Sequence, residues 1–186
     1  VRRWVDSSQE SAKRMQQLIS QMLTLADVER PDTALSTQPV DLAAIAMKAA
    51  LEMESIAYEK CVTLETALPG ACTLRGNTDY LQRIVSSLLE NALKYEPAGG
   101  RVQLTLTQDK RRVQLSVQNF GSTIPVEDLP HVFDRFYRSD KSRKNESGSF
   151  GLGLAITKEM VERLGGEISA SSSAEDGTVF QVTLCR

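Results

Sequence analysis

Between Val5 and Glu29 the apolar or small residues Val5, Ala12, Met15, Ile19, Met22 and Ala26 recur, after one longer step, at alternating intervals of three and four. That spacing keeps one side of an α-helix apolar and makes it a seam for a helical bundle. Trp4, Leu18, Leu23 and Leu25 widen the seam, and Pro31 ends the helix. The polar stretch RPDTALSTQP reads as a linker. A short extended stretch around Thr37 to Val40 follows, then Asp41 as a helix cap and the helical pattern LAAIAMKAALEMESIAYEK. CVTLETAL reads as a strand. A turn at Gly76 and a cap at Asn77 open a long amphipathic helix that stops before Pro97 and the pair Gly99 and Gly100. RVQLTLTQDKRRVQLSVQN alternates apolar and polar residues on both sides of a polar turn, the signature of a hairpin. A short aromatic helix is expected in VEDLPHVFDRFYR. Residues 139–149 are expected to be the most mobile part of the chain, because nothing apolar anchors them before Phe150. GLGLAITKEMVERLGG reads as a helix opened and closed by glycines, and EISASSS with TVFQVTL as a closing hairpin. Hairpins separated by long helices predict an α+β fold, a two-layer sandwich. Helices would cover one face of a mixed, mostly antiparallel sheet, and one long bundle helix would precede it. The expected divisions are residues 1–30 for that helix, 31–36 for a linker and 37–186 for the sandwich.

The chain has 186 residues, enough for about one domain with a helix left over. Hydrophobic residues at 41% and charged residues at 25% match an ordinary globular chain and exclude disorder as the main state. No window approaches the ~18 apolar residues of a membrane span, and the opening VRRWVDSSQESAKRM lacks a signal peptide's apolar run. The chain as given reads as soluble. A net charge of −2 provides no overall field for nucleic acid or an anionic membrane, so any basic site must be local. Cys61, Cys72 and Cys185 show no CxxC spacing and read as reduced core residues in a cytosol-like compartment. His131 is the single histidine, which excludes a site that needs two.

Four stretches carry candidate chemistry. In ENALKY, Asn91 and Lys94 are three residues apart on one helix face, a carbonyl acceptor beside a cation. That pair suits a magnesium triphosphate, since magnesium takes few protein oxygens and a lysine offsets phosphate charge; the competing reading is a solvated helix face. In GSFGLGL the glycines let backbone approach a phosphate, and free N–H groups at a helix start attract anions; the competing reading is a tight turn without a ligand. No Lys-Ser/Thr follows those glycines, so it is not a Walker motif. In VQNFGSTIP an amide at a strand end precedes a glycine turn and has the chemistry to read a base edge, or simply to leave the strand. In LPHVFDRFYR the aromatic residues read as packing, and His131, beside Val132 and Phe133, as part of an apolar short helix.

In their order along the chain the four stretches resemble the N box, first glycine box, F box and second glycine box of the sensor histidine kinase catalytic domain. RMQQLISQMLTLADVER is similar to the second helix of that family's dimerisation and phosphotransfer domain, and residues 37–186 to its complete ATP-binding domain, a fold shared with gyrase, mismatch-repair and chaperone ATPases. The resemblance implies ATP and Mg2+ as ligands. It implies that Asn91 coordinates Mg2+, that Lys94 meets phosphate and that Tyr95 borders the nucleotide. Asn119 stands where the family usually has the aspartate that accepts from the adenine amino group, with Gly121 in the turn beside it and Ile124 lining the site. Gly148, Gly151 and Gly153 would hinge a lid, with backbone N–H groups of Leu152 and Gly153 facing phosphates and Leu154 beside them. Arg138 and Lys141 are the first candidate lid cations, ahead of Arg135 and Arg143.

Three departures from the family pattern stand out. Ser87 replaces the first asparagine of the N box, so one phosphate-side or metal-side contact is shorter or water-mediated. Asn119 replaces the aspartate; a neutral amide should hold adenine more weakly, and by flipping it could face a guanine oxygen. Thr123 replaces a glycine of the first glycine box. None removes Asn91, Lys94 or the second glycine box.

The family's phosphoacceptor, a histidine in a His-Glu/Asp motif on an upstream helix, is not in this sequence, and His131 belongs to the F box. The chain is therefore expected to be a C-terminal piece of a longer, membrane-anchored kinase, its own part cytoplasmic, that binds ATP without phosphorylating itself. The partners implied are the upstream helix within a homodimer and a response-regulator receiver domain, with no nucleic acid. Hydrolysis of the gyrase kind would need a carboxylate one helical turn before Asn91, where Ser87 stands. A serine kinase of the anti-sigma type would not begin with a bundle helix. A nucleotide-binding interaction module with lapsed catalysis is the remaining alternative.

Overall fold

The computed structural model describes residues 2–30, 35–138 and 150–186, the first helix by backbone alone over residues 2–8 and at residue 10. Helix α1 (Arg2–Val28) has two faces. The predicted seam is open to solvent, with Met15 61% and Ile19 58% exposed. A different stripe, Leu18, Gln21, Leu25 and Val28, turns toward the rest of the protein, and Leu25 and Val28 are buried. Two arginines fasten that end: Arg163 donates to the carbonyl of Val28, and Arg135 pairs with Glu29.

Strand β1 (Gln38–Asp41) pairs antiparallel with β3 (Thr73–Gly76). The sequence pattern treated β3 only as a turn approaching Gly76. Asp41 caps helix α2 (Leu42–Glu59), its carboxylate accepting from the N–H groups of Ala43 at 3.0 Å and Cys72 at 2.9 Å. These bonds, that from Cys72 foremost, hold the Asp41 carboxyl below its ordinary pKa. Asn77 caps helix α3 (Thr78–Tyr95), as expected, by accepting from Tyr80 N–H.

A second sheet has five strands in the order β2-β4-β5-β7-β6. They are β2 (Thr63–Ala67), β4 (Arg101–Gln108), β5 (Arg112–Asn119), β6 (Glu167–Ser173) and β7 (Gly177–Cys185). Only the β2–β4 pair is parallel. The fold is thus α+β with a mixed, mostly antiparallel sheet. Period-2 alternation puts Val102, Leu104, Leu106, Val113, Leu115, Val117, Phe180, Val182 and Leu184 on one face, all buried. Helices α2, α3 and α4 (Gly153–Arg163) bring their apolar residues into the same core.

At one end this face changes character. The last rung is Asn119 opposite Thr178, itself opposite Ser172, three polar side chains on three adjacent strands. The sheet therefore supplies hydrogen-bonding groups where its apolar core stops.

Three expectations need correction. The short aromatic helix is instead a succession of three-residue turns: Asp128 N–H bonds to Pro125, His131 to Asp128, Asp134 to His131 and Tyr137 to Asp134. Only Leu129–His131 forms a 3-10 helix. Pro130 lacks the N–H that an α-helix would need there, and Phe136, with φ of +62°, turns the chain out of any helix. Of the three cysteines only Cys72 is buried; Cys61 takes a left-handed turn after α2, and Cys185 is the outward-facing last residue of β7. His131 does not pack into an apolar helix but is exposed, with Nδ1 2.8 Å from the Asp134 carboxylate.

Candidate functional site

Helix α3 buries Leu81, Ile84, Val85, Leu88, Leu89 and Ala92 against the sheet. What that stripe leaves on another face includes Ser87, Asn91 and Lys94, at intervals of four and three. With Tyr95 they line a cavity of about 310 Å³, closed by the end of β5, the turns over residues 122–138 and the start of α4.

One end of the cavity is cationic. Burial, then the nearby charges of Arg138 and Lys60, hold the Lys94 ammonium below its ordinary pKa. Lys60 stays in place by donating to the carbonyls of Leu93 and Lys94 at the C-terminus of α3. The N-terminus of α4 opens onto the same space through Gly151 and Gly153. Two cations and a helix start give this end a chemistry suited to an anion. Glu90, though exposed, is crowded enough that desolvation raises its carboxyl pKa.

The backbone at this end admits little change. Phe136 N–H donates to Gly151 O at 2.9 Å, joining the two segments that flank residues 139–149. Gly151 has φ of +72°, and a Cβ there would lie 2.6 Å from the Tyr137 carbonyl oxygen. Ser87, in the position of the missing asparagine, accepts from Thr157 Oγ at 2.9 Å and so ties α3 to α4.

The other end is a neutral polar pocket. Asn119 is 2% exposed, and its amide nitrogen donates to Ser122 Oγ at 2.8 Å. Thr178 Oγ donates to the Ser122 carbonyl, and Ile124 N–H to Ser172 Oγ, each at 2.9 Å. The turn is also held from behind by Glu96, 3% exposed, whose carboxylate accepts from the N–H groups of Gly121 and Arg101. A Cβ on Gly121 would lie 2.6 Å from Pro97 and 2.8 Å from that carboxylate, which is why glycine is required there.

Ser87, Asn91, Lys94, Tyr95, Asn119, Ile124, Arg138, Gly151, Gly153 and Leu154 all line the cavity. Gly121 and the Leu152 side chain do not: Gly121 supports the turn from behind, and Leu152 is fully buried in the core. Arg135 is engaged with Glu29. Lys141, Arg143 and Gly148 lie outside the described residues, as does the stretch expected to be most mobile. Sequence reasoning missed Gln21, Asp128, Tyr137, Phe150, Thr178 and Phe180 among the lining residues. Thr178 had a readable signal, a polar residue in register with the inward positions Phe180, Val182 and Leu184. Gln21 had none, since only apolar positions were weighed on α1.

Among the described residues no group of three or more His, Cys, Asp or Glu side chains is placed to hold a metal. Asn91 offers one oxygen, which fits magnesium bound chiefly through phosphates and water.

The model of the histidine kinase-, DNA gyrase B- and HSP90-like ATPase family matches residues 76–186, and the chain belongs to that family. It is similar to the sensor histidine kinase RppB of Synechocystis, 32% identical over 92% of the chain and 38% of the relative. WalK of Bacillus subtilis is 32% identical over 98% of the chain and 30% of its own length, and CusS of Escherichia coli 35% over 96% and 37%. The chain thus spans about a third of the length of these relatives. Among solved structures, full-length ShkA in complex with AMPPNP superposes with a TM-score of 0.83 and 26% identity over 98% of the chain and 38% of ShkA. The mycobacterial sensor histidine kinase MprB superposes at 0.69 and 28% over 81% of the chain and 97% of that structure. The sandwich of ThkA, 19% identical with a TM-score of 0.71 over 81% of the chain and 98% of that structure, shares the fold.

Proposed function

We propose that the chain binds MgATP in this cavity and is the ATP-binding catalytic part of a sensor histidine kinase, passing the γ-phosphoryl group to a histidine for relay to a response-regulator aspartate. The observation that carries this reading is the polarity of one cavity. Lys94, Arg138 and the start of α4 suit a triphosphate at one end, and Asn119 suits a purine edge at the other. Asn91 would hold magnesium, which when bound neutralises phosphate charge and orients the chain of phosphates.

The reaction asks mainly for position. An acceptor imidazole nitrogen attacks γ-phosphorus in line, the bond to the ADP oxygen breaks, and the electron pair leaves on ADP. Lys94 and Arg138 offset charge on the phosphates, while Val132, Phe150 and Phe180 keep part of the cavity apolar and limit water. Ser87, whose hydroxyl is engaged by Thr157, offers no carboxylate one helical turn before Asn91, where hydrolysis of the gyrase kind would need one; the carboxylates that line the cavity, Glu90 and Asp128, stand elsewhere. His131 is not the acceptor, because it sits in the turns between β5 and α4, paired with Asp134. The acceptor would lie in the part of the longer relatives that this chain does not span.

The same reading assigns residues 1–30 to the second helix of the phosphotransfer domain, 31–36 to a linker and 37–186 to the ATP-binding domain. The exposed seam of Met15, Ile19 and Met22 suits the upstream helix within a homodimeric bundle. No helix among the described residues is long and apolar enough to cross a membrane. Membrane attachment would come from outside this chain and place it on the cytoplasmic side. The test is transfer of label from γ-labelled ATP with Mg2+ to a longer polypeptide carrying the preceding histidine helix. Acid-labile, base-stable label is expected, and release of free phosphate without labelled histidine would refute the kinase reading.

A further inference from the structure

The amide of Asn119 has a defined orientation, and the neighbouring turn sets it. Its nitrogen faces two oxygens of Ser122, the hydroxyl at 2.8 Å and the main-chain carbonyl at 3.5 Å. A hydroxyl can donate or accept and would tolerate either end of an amide. A carbonyl can only accept, and at 3.5 Å this long contact favours the end of the amide that carries protons. Thr178 holds the carbonyl in place by donating to its oxygen at 2.9 Å. Ser172 lies beside Thr178 with its hydroxyl 3.0 Å away, and the single Ser172 proton goes either to Thr178 Oγ or to Gly177 O at 3.1 Å. Flipping the amide would set its oxygen against the Ser122 carbonyl, two acceptors without a proton between them.

We infer that Ser122 is a positioning residue that locks Asn119 with its oxygen toward the cavity, so that the chain reads the 6-amino group of adenine and rejects 6-oxopurines. The inference rests on the proposed nucleotide site and deepens it. An acceptor-only group at the cavity end pairs with an exocyclic amino group and repels a ring oxygen in the same place. The lock makes a neutral amide present the single face that a carboxylate would present. Sequence alone suggested the opposite, an amide free to turn and accept guanine.

ATP and ITP differ at ring position six and at the neighbouring N1 proton, which makes them the probes of choice, with GTP as a third. Calorimetric titration of each with Mg2+ into the parent chain should show ATP bound at least about tenfold more tightly than ITP, the usual consequence of leaving a buried polar group mispaired. Asn119→Asp sets its second oxygen against the Ser122 carbonyl and should lose stability, yet leave that ratio within about threefold of the parent's, because the oxygen on the cavity side is an acceptor as in the locked amide. Ser122→Gly removes the hydroxyl and, beside Gly121, gives the main chain the freedom to turn its carbonyl away from Thr178 and Asn119. Its ATP-to-ITP ratio should fall several-fold while its unfolding midpoint stays close to the parent's, whereas Ser122→Thr, which keeps both oxygens, should retain the parent ratio. Equal binding of ATP and ITP by the parent, or a Ser122→Gly ratio equal to the parent's, overturns the lock and leaves the nucleotide site standing. No binding of any of the three nucleotides overturns the site itself.

Discussion

Replacing Glu96 with alanine removes a side chain that joins the end of α3, the start of β4 and the turn after β5. Its carboxylate, 3% exposed, accepts from Arg101 N–H at 2.9 Å and from Gly121 N–H at 3.0 and 2.9 Å through its two oxygens. Truncation leaves two backbone donors without partners in a space where Gly100 and Gly121 already press on the carboxylate. A buried donor left unmade costs about 1–3 kcal/mol, which for two amounts to about 2–6 kcal/mol, and the lower half is expected because water can enter the vacated space. Glu96→Gln keeps one oxygen acceptor but turns an NH2 toward the Gly121 N–H, and should cost about 1–2 kcal/mol. Because Gly121 and Ser122 are consecutive, both variants should also weaken nucleotide binding, alanine more than glutamine. Urea unfolding followed by circular dichroism measures the first effect and nucleotide titration the second. If Glu96→Ala unfolds within about 0.5 kcal/mol of the parent, ordinary surface behaviour, the carboxylate does not hold the turn.

Lys94 gives a pH dependence with a definite sign. Burial, Arg138 and Lys60 lower its pKa below 10.5 in the empty site, and a bound triphosphate raises it again, so binding takes up a proton between the two values. Affinity should fall as pH climbs through that alkaline window, by at most about tenfold per unit, and Lys94→Arg should flatten the profile in calorimetric titrations. Gly151→Ala places a Cβ 2.6 Å from the Tyr137 carbonyl at a φ of +72° and should destabilise the chain by about 2–4 kcal/mol while weakening nucleotide binding; thermal melts check the first effect, titration the second. Incubated with MgATP, the chain should gain no phosphohistidine by mass analysis; stoichiometric acid-labile phosphate on His131 would overturn its exclusion as acceptor.

Local signals that the sequence carries on its own were readable. Asp41 and Asn77 cap their helices through the backbone bonds their residue types suggest, and the alternation in RVQLTLTQ and RVQLSVQN placed both strands of the central hairpin. Asn91 and Lys94 were recognisable because helical spacing alone brings them together. The elements missed depend on distant partners. Thr73–Gly76 has too little pattern to announce a strand, and β1, far along the chain, makes it one. The parallel pairing of β2 with β4 is a matter of topology, which periodicity does not encode. The turns from Pro125 to Tyr137 look helical in their aromatic spacing, but Pro130 and left-handed Phe136 decide otherwise. The orientation of Asn119 was out of reach for the same reason, since Ser122 and Thr178 meet only after β5 and β7 have paired.

Calorimetric titration of MgATP into the parent chain, Asn91→Ala and Lys94→Ala tests the central claim most directly. The account predicts saturable binding of one nucleotide per parent chain. It predicts loss of most of that affinity in either variant at unchanged thermal stability, because both residues line the cavity from the side of α3 turned away from the core. Equal affinity in parent and variants, or no binding by the parent, would contradict it.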